Sequence, residues 1–340
     1  MKVRLLPLND PWTSRKRVFI LHCIRYVVRS FGVPKLSNGK LPDFLCIGAQ
    51  KAGTTWLHAV LKHHPEVWLP QRKEIHYFDL RYPPYPTYPD KEAPSDADTN
   101  ISLNYKVTSR LSRFKKYTPK RLAWEVYYRY FPRSDKWYKN LFMSAKDRMA
   151  GDFTPGYAML DNSAIANVYK LLPNAKIIFI MREPIERAWS HAKMILGQHG
   201  YRSISKISEK KFIEFLHSEP SLRRGQYSQI IKRWETFYPA ESFLRLYFDD
   251  VSENPELLVN KVIDFLGVGP MSEEMHAIIH KEIHKGQDLD IPDTIYLELF
   301  ELYEQEMQVL ASKYGGIAQR WFSNASNKNK EILLRVKGNV

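Results

Sequence analysis

The segment Gly48-Ala49-Gln50-Lys51-Ala52-Gly53-Thr54-Thr55 has residue types suited to holding an anion. It follows a short apolar run, Phe44-Leu45-Cys46-Ile47, and reads as a strand entering a Gly-bracketed loop with a helix beginning at Thr54. Such a loop turns its N–H groups inward and sets an anion at a helix N-terminus. The common triphosphate-binding pattern is G-x-x-x-x-G-K-[ST]. Gly48, Gly53 and Thr55 fit it, but Thr54 stands where lysine belongs and the lysine has moved to position 51. That makes a poor ATPase loop. It can still hold the 5′ end of a nucleotide, with Lys51 beside the group that bridges to a leaving phosphate.

A second constellation lies far along the chain. Ile177-Ile178-Phe179-Ile180-Met181 is a continuous apolar run, as expected of a parallel strand buried on both faces, and it ends in Arg182-Glu183-Pro184. A helix is expected over 186–194. Arg182 and Ser190 can then converge on one anion as a guanidinium fork and a hydroxyl. Between the two motifs, Lys73-Glu74-Ile75-His76-Tyr77-Phe78-Asp79 places Glu74, His76 and Phe78 on one face if the segment is extended.

With these three stretches the chain resembles the sulfotransferases that use 3′-phosphoadenosine 5′-phosphosulfate (PAPS). Their loop has the form G-x-x-K-[AGS]-G-T-[ST], and R-[DE]-P-x-x-R-x-x-S grips the 3′-phosphate. Glu74-Ile75-His76-Tyr77-Phe78 is similar to E-x-H-[FY]-F of the glycan-modifying branch, closest in pattern to the heparan sulfate type. The resemblance implies an α/β fold: a three-layer P-loop-like domain, its central sheet mainly parallel and flanked by helices. It implies Gln50, Lys51, Ala52, Gly53, Thr54, Thr55, Arg182, Ser190 and Tyr227 as cofactor-binding residues, with Lys285 and Gly286 as a short late match. Arg187 also fits the pattern and is read as mainly structural. Sulfuryl transfer needs a base for the acceptor's proton. Glu74 is the favoured base, with Lys51 catalytic beside it and His76 either orienting Glu74 or binding acceptor. Further matches are Trp137-Tyr138, Gly151-Asp152-Phe153-Thr154-Pro155-Gly156-Tyr157 and Gly225-Gln226-Tyr227. The expected reaction passes a sulfuryl group from PAPS to a hydroxyl or amine, with no metal. The acceptor is expected to be a glycan or other sugar-bearing molecule, acidic in some cases. Two alternatives stand beside it: a non-catalytic polyanion-binding protein on the same fold, and a P-loop kinase.

The elements that must position these residues fit a chain of 340 residues with 44% hydrophobic content. Further helices are expected over 56–63, 208–216, 229–237, 257–266 and 294–313, and a strand over 243–248. The organisation read from sequence is a basic N-terminal segment 1–40, a sulfotransferase domain 41–322 and a polar tail 323–340. Residues 1–40 carry nine Lys/Arg and one acid, Asp10. Within them, 15–31 suits a basic amphipathic helix with peripheral membrane contact, or a helix packed on the enzyme or a partner; it is too interrupted to span a bilayer. Residues 80–104 read as a loop.

The formal charge is +14, and residues 105–150 hold thirteen Lys/Arg against Glu125, Asp135 and Asp147. That cluster would attract an acidic acceptor or form a solvated basic face. Aromatic residues interleave with it, but nothing resembles a nucleic-acid module, and no nucleic-acid partner is expected. The two cysteines, Cys23 and Cys46, rule out a disulfide framework. Cysteines after position 46, common in secretory relatives, are lacking, so a cytoplasmic or peripheral-membrane setting is expected, with the secretory lumen left open.

Overall fold

Five short strands, each flanked by helix, carry the architecture: β1 (Phe44–Gly48), β2 (Val67–Trp68), β3 (Met149–Phe153), β4 (Lys176–Met181) and β5 (Phe243–Tyr247). The computed structural model describes residues 39–82, 118–198, 207–281 and 289–338. The sheet order is β2-β3-β1-β4-β5 and every pairing is parallel. Parallel strands need crossovers, and the apolar runs of β1 and β4 are what a strand covered on both faces requires. All five β1 residues are buried, as are Ile177 to Met181 of β4.

Helices α1 (Thr54–Leu61) and α2 (Phe78–Arg81) come from the first third of the chain, and α3 (Pro119–Tyr130) and α4 (Asp135–Leu141) precede β3. After β3 come α5 (Asn162–Leu171), then α6 (Pro184–Gln198) following β4. Three helices, α7 (Glu209–Leu216), α8 (Glu219–Arg223) and α9 (Tyr227–Glu235), lead to β5. Beyond it lie α10 (Asp249–Glu253), α11 (Pro255–Leu266), α12 (Glu273–Ile278), α13 (Asp293–Tyr314) and α14 (Gly316–Gly338). The α/β reading from sequence holds, with a sheet that is wholly parallel among the described residues.

The chain divides into two compact units. One comprises 42–84 and 147–340 and contains the sheet. The other comprises 1–41 and 85–146, and its described residues centre on α3 and α4. Each of these helices is capped by a hydroxyl: Thr118 Oγ1 accepts from Arg121 N, and Ser134 Oγ accepts from Trp137 N at 3.1 Å. Trp124 stacks on Tyr128 with ring centroids 5.3 Å apart, and Trp137 Nε1 donates to the Tyr127 carbonyl. Trp124, Tyr128 and Trp137 thus serve the packing of this helix pair. That commits part of the aromatic content interleaved with the basic stretch to packing.

Helix α14 passes through position 323 without a break. Trp321, Ala325 and Ile332 fall on its inner side and are buried, although the surrounding residues are polar. Ala325 and Ile332 join a core cluster with Ile185, Trp189, Leu299 and Phe300 from α6 and α13. No helix among the described residues is long and apolar enough to cross a membrane. The segment 15–31 and most of 80–104 lie outside the described residues.

Ile332→Ala should lower stability by about 2–4 kcal/mol, because the void it leaves sits in a packed cluster. Urea denaturation checks this; an unchanged midpoint would show that the end of α14 contributes nothing to the core.

Candidate active site

The strand order places the site. Connections leave β1 and β4 toward opposite sides of the sheet, so a crevice opens at their C-terminal ends, where open α/β sheets bind ligands. The 48–55 loop lies at the end of β1 and Arg182 at the end of β4. Two residues of the loop turn through left-handed conformations, Lys51 (φ 73°) and Gly53 (φ 83°). Gly53 also accommodates Phe248, since a β-carbon there would lie 2.8 Å from Phe248 Cδ2. Gly53 is the N-cap of α1 and no side chain caps that helix. The first N–H groups of α1 are therefore available to an anion. Ala52 and Thr54 are buried, and the Ala52 amide donates to the Ala49 carbonyl at 3.2 Å, whereas Lys51 is half-buried. Gln50 is tied down by Arg224, whose Nε donates to Gln50 Oε1 at 3.0 Å. Sequence reading missed Arg224.

Arg182 Cζ lies over the Phe248 ring, 4.6 Å from its centroid. Its Nη1 makes a long 3.4 Å contact with the Lys51 carbonyl, joining the two motifs. Its Nε and Nη2 donate to Glu186 Oε2 at 3.2 and 2.9 Å. Tyr227, fully buried, donates its hydroxyl to the Arg182 carbonyl at 2.9 Å. Ser190 and Arg182 line the same cavity of about 930 Å³, bounded also by Trp189, Phe248 and Trp321. That volume suits a nucleotide. Arg187 is completely buried and donates to the Tyr303 hydroxyl at 3.2 Å, a structural position as expected. Burial lowers the Lys51 pKa, and the nearby charges of Arg182, Lys193 and Lys73 lower it further. Lys51, Arg182, Lys193 and Lys73 thus lie near enough for their charges to act on one another, an arrangement an anion would favour. Lys285 and Gly286 lie outside the described residues.

The base segment differs from its expected form. Residues 74–78 are not extended: Glu74 (φ 67°) and His76 (φ 53°) are left-handed, and Phe78 already begins α2. Left-handed backbone is costly for residues other than glycine. It is imposed here from β3 and the turn after it. Glu74 N donates to the Phe153 carbonyl, Ile75 N to Thr154 Oγ1 at 3.0 Å, and Tyr77 N to the Tyr157 hydroxyl at 3.1 Å. Those two hydroxyls in turn donate to the two oxygens of Asp152, at 2.7 and 2.8 Å, and all three side chains are buried.

The turn still brings Glu74 and His76 together. His76 Nε2 lies 3.3 Å from Glu74 Oε2, and His76 Nδ1 lies 2.7 Å from Asp79 Oδ2. Lys73 Nζ bonds Glu74 Oε1 at 2.7 Å. Burial would raise the Glu74 pKa, but bonds and charge from His76 and Lys73 outweigh it and hold it at about 2. Burial would lower the His76 pKa, but Asp79 and Glu74 lift it to about 10. At neutral pH His76 is then an imidazolium held between the carboxyl groups of Glu74 and Asp79. Glu74 can accept a proton, and both nitrogens of His76 already carry one. Asp79 was not singled out from sequence, though its position three residues after His76 was a usable signal. Gly156 makes room for it, since a β-carbon there would lie 2.5 Å from Asp79 Oδ2.

Taken together, the fold and site define an α/β protein with a nucleotide-sized cavity at the Arg182 end of the sheet crevice and a Gly-bracketed lysine loop joined to it through Arg182. The model of the sulfotransferase family matches residues 42–273, and the chain belongs to that family. Carbohydrate sulfotransferase 15 of Mus musculus is 25% identical over 271 residues, covering 71% of this chain and 46% of that protein. The bifunctional heparan sulfate N-deacetylase/N-sulfotransferase 2 of Homo sapiens is 25% identical over 240 residues, covering 68% of this chain and 22% of that protein. The chain thus spans less than half the length of these relatives. The crystal structure of a sulfotransferase from Alicyclobacillus acidocaldarius shares the fold, with a TM-score of 0.53 at 21% identity over 80% of this chain and 94% of that one.

The His76 pKa has a consequence for stability. A pKa raised from 6.5 to about 10 contributes stability that is complete below pH 6.5 and lost as pH rises through 10. Asp79→Asn should remove most of it. The stability difference between wild type and Asp79→Asn, from urea denaturation, should therefore shrink as pH rises from 7 to 10. A difference independent of pH would contradict the ion chain.

Proposed function

We propose that this protein transfers a sulfuryl group from PAPS to a hydroxyl or amine of a carbohydrate acceptor. The observation that carries this reading is the meeting of the Lys51 loop and Arg182 at one sheet crevice, with the Lys51 pKa lowered by burial and by neighbouring cations. A nucleotide bearing phosphate at both 3′ and 5′ positions answers both halves. The loop N–H groups and Lys51 would hold the 5′-phosphosulfate, and Arg182 with Ser190 the 3′-phosphate. Tyr227 acts through the Arg182 carbonyl, as a positioning residue. Phe248 supports the guanidinium from below.

In the reaction, the acceptor oxygen or nitrogen bonds to sulfur as the bond from sulfur to the bridging phosphate oxygen breaks. Lys51 stabilises the charge that develops on that oxygen. Glu74 takes the acceptor's proton. In a loose transition state the bond from sulfur to the leaving oxygen is largely broken before the acceptor bonds, so the acceptor's proton is lost late and a carboxylate held low by His76 and Lys73 can receive it. His76, protonated on both nitrogens, orients Glu74. A kinase reading is less favoured, because Thr54 is buried and both Asp152 oxygens already accept hydroxyl bonds.

The carbohydrate acceptor rests on Glu74-Ile75-His76-Tyr77-Phe78 and on the relatives, which include a carbohydrate sulfotransferase and a heparan sulfate N-sulfotransferase. The basic stretch 105–150 favours an acidic glycan, although 105–117 lie outside the described residues. A peripheral-membrane or cytoplasmic setting remains our proposal for the compartment.

Arg182→Ala should abolish most of the preference for adenosine 3′,5′-bisphosphate over adenosine 5′-phosphate, a loss of about 1.5–3 kcal/mol for a charge-assisted bond. Calorimetry finding equal wild-type affinity for the two nucleotides would sink the assignment. Glu74→Gln should keep nucleotide binding and slow turnover roughly 10²-fold or more. Normal turnover in that variant, with His76→Ala inactive, would transfer the role of base to His76.

A further inference from the structure

The face that α6 turns to the cavity reads Glu186, Ser190, Lys193, at spacings of four and three residues that bring all three to one side of a helix. Lys193 is absent from the sequence pattern that implies Arg182 and Ser190. It lies one turn beyond Ser190, half-buried, and lines the same cavity. Its Nζ donates to the Leu289 carbonyl at 3.2 Å and sits 5.5 Å from the centre of the Trp189 ring. Its charge reaches Lys51 strongly enough to be among the causes that lower that lysine's pKa.

The charges on this face do not balance for a phosphate held by Arg182 and Ser190 alone. The Nε–Nη2 edge of Arg182 is already occupied by Glu186, at 3.2 and 2.9 Å. A phosphate monoester brings about −1.5 to −2 charges at neutral pH. It would meet an arginine half neutralised by its own helix, and a serine that carries no charge. A further cation on the same face would offset this. Arg320, Lys328 and Arg335 also line the cavity, but they stand against Asp249 and Glu253, the Tyr296 ring and Asp293 respectively, whereas the register of α6 sets Lys193 beside Ser190.

Resting on the PAPS reading above, we propose that Lys193 is a further ligand of the nucleotide's 3′-phosphate, acting with Arg182 and Ser190. The Trp189 ring and the Leu289 carbonyl hold its ammonium at the cavity wall. Glu186 offsets part of the cluster's charge.

The test is calorimetry of adenosine 3′,5′-bisphosphate and adenosine 5′-phosphate on wild type, Lys193→Gln and Lys193→Arg, each first checked for a cooperative thermal melt. Lys193→Gln should bind the bisphosphate roughly tenfold more weakly and the 5′-phosphate within about twofold of wild type, and Lys193→Arg should recover most of the loss. Unchanged bisphosphate affinity in Lys193→Gln overturns the proposal. An equal loss for both nucleotides also overturns it, because Lys193 would then serve the wall at Leu289. Failure of the PAPS reading itself shows differently, as a wild type with no preference for the bisphosphate whatever stands at 193.

Discussion

A carboxylate with no solvent exposure, Asp152, fixes the geometry of the candidate base. Burying a charge is expensive unless its oxygens are satisfied, and here the hydroxyls of Thr154 and Tyr157 each supply one bond. Both hydroxyls also accept: Thr154 from the Ile75 amide and Tyr157 from the Tyr77 amide. A chain of bonds thus runs from strand β3 to the backbone on either side of His76. Each left-handed residue costs on the order of 1–2 kcal/mol, and Glu74 and His76 keep that conformation because their neighbours' amides are committed to this network. Without it the segment would relax toward an ordinary extended form, and Glu74 and His76 would lose their turn.

The second constraint is the parting of the chain at β1 and β4. It brings a helix N-terminus, a lysine within a Gly-bracketed loop, and an arginine at a strand end to one crevice, although they lie far apart in sequence. Small residues and one aromatic ring set the spacing. Gly53 leaves room for Phe248, and the same ring carries Arg182. The halves proposed to hold the anion and to accept the proton meet the sheet on adjacent strands, since β3 carries the Asp152 network and β1 the loop. A change in sheet packing would therefore move both halves together.

Much of this was legible in the sequence because the signals were local. Phe44 to Ile47 and Ile177 to Met181 are continuous apolar runs, and continuous burial in a parallel sheet produces that pattern. Arg182 was marked by its place at the end of such a run. The conformation of 74–78 was not legible, because alternating residue types fit a strand and the left-handed turn depends on bonds from residues near 154. Tyr227 was marked by Gly225-Gln226-Tyr227, but its bond to the Arg182 carbonyl, 45 positions away, has no local signature. The end of α14 was obscured for a different reason: Ala325 and Ile332 are isolated apolar residues among polar ones, and only the core they meet reveals that they are buried. The basic stretch before β3 suggested a surface rich in aromatic residues, but Trp124, Tyr128 and Trp137 pack on one another.

The central claim is that the cation-lined crevice and Glu74 together carry out sulfuryl transfer. The direct measurement is incubation of the purified chain with PAPS labelled at sulfur and a panel of acidic glycans, neutral oligosaccharides and simple phenols. The account predicts label on a sugar-bearing acceptor with stoichiometric release of adenosine 3′,5′-bisphosphate, and no transfer by Glu74→Gln on the same time scale. Label confined to phenols would contradict the carbohydrate assignment. Tight nucleotide binding with no transfer to any acceptor class would contradict the account as a whole and favour a protein that binds polyanions without catalysis.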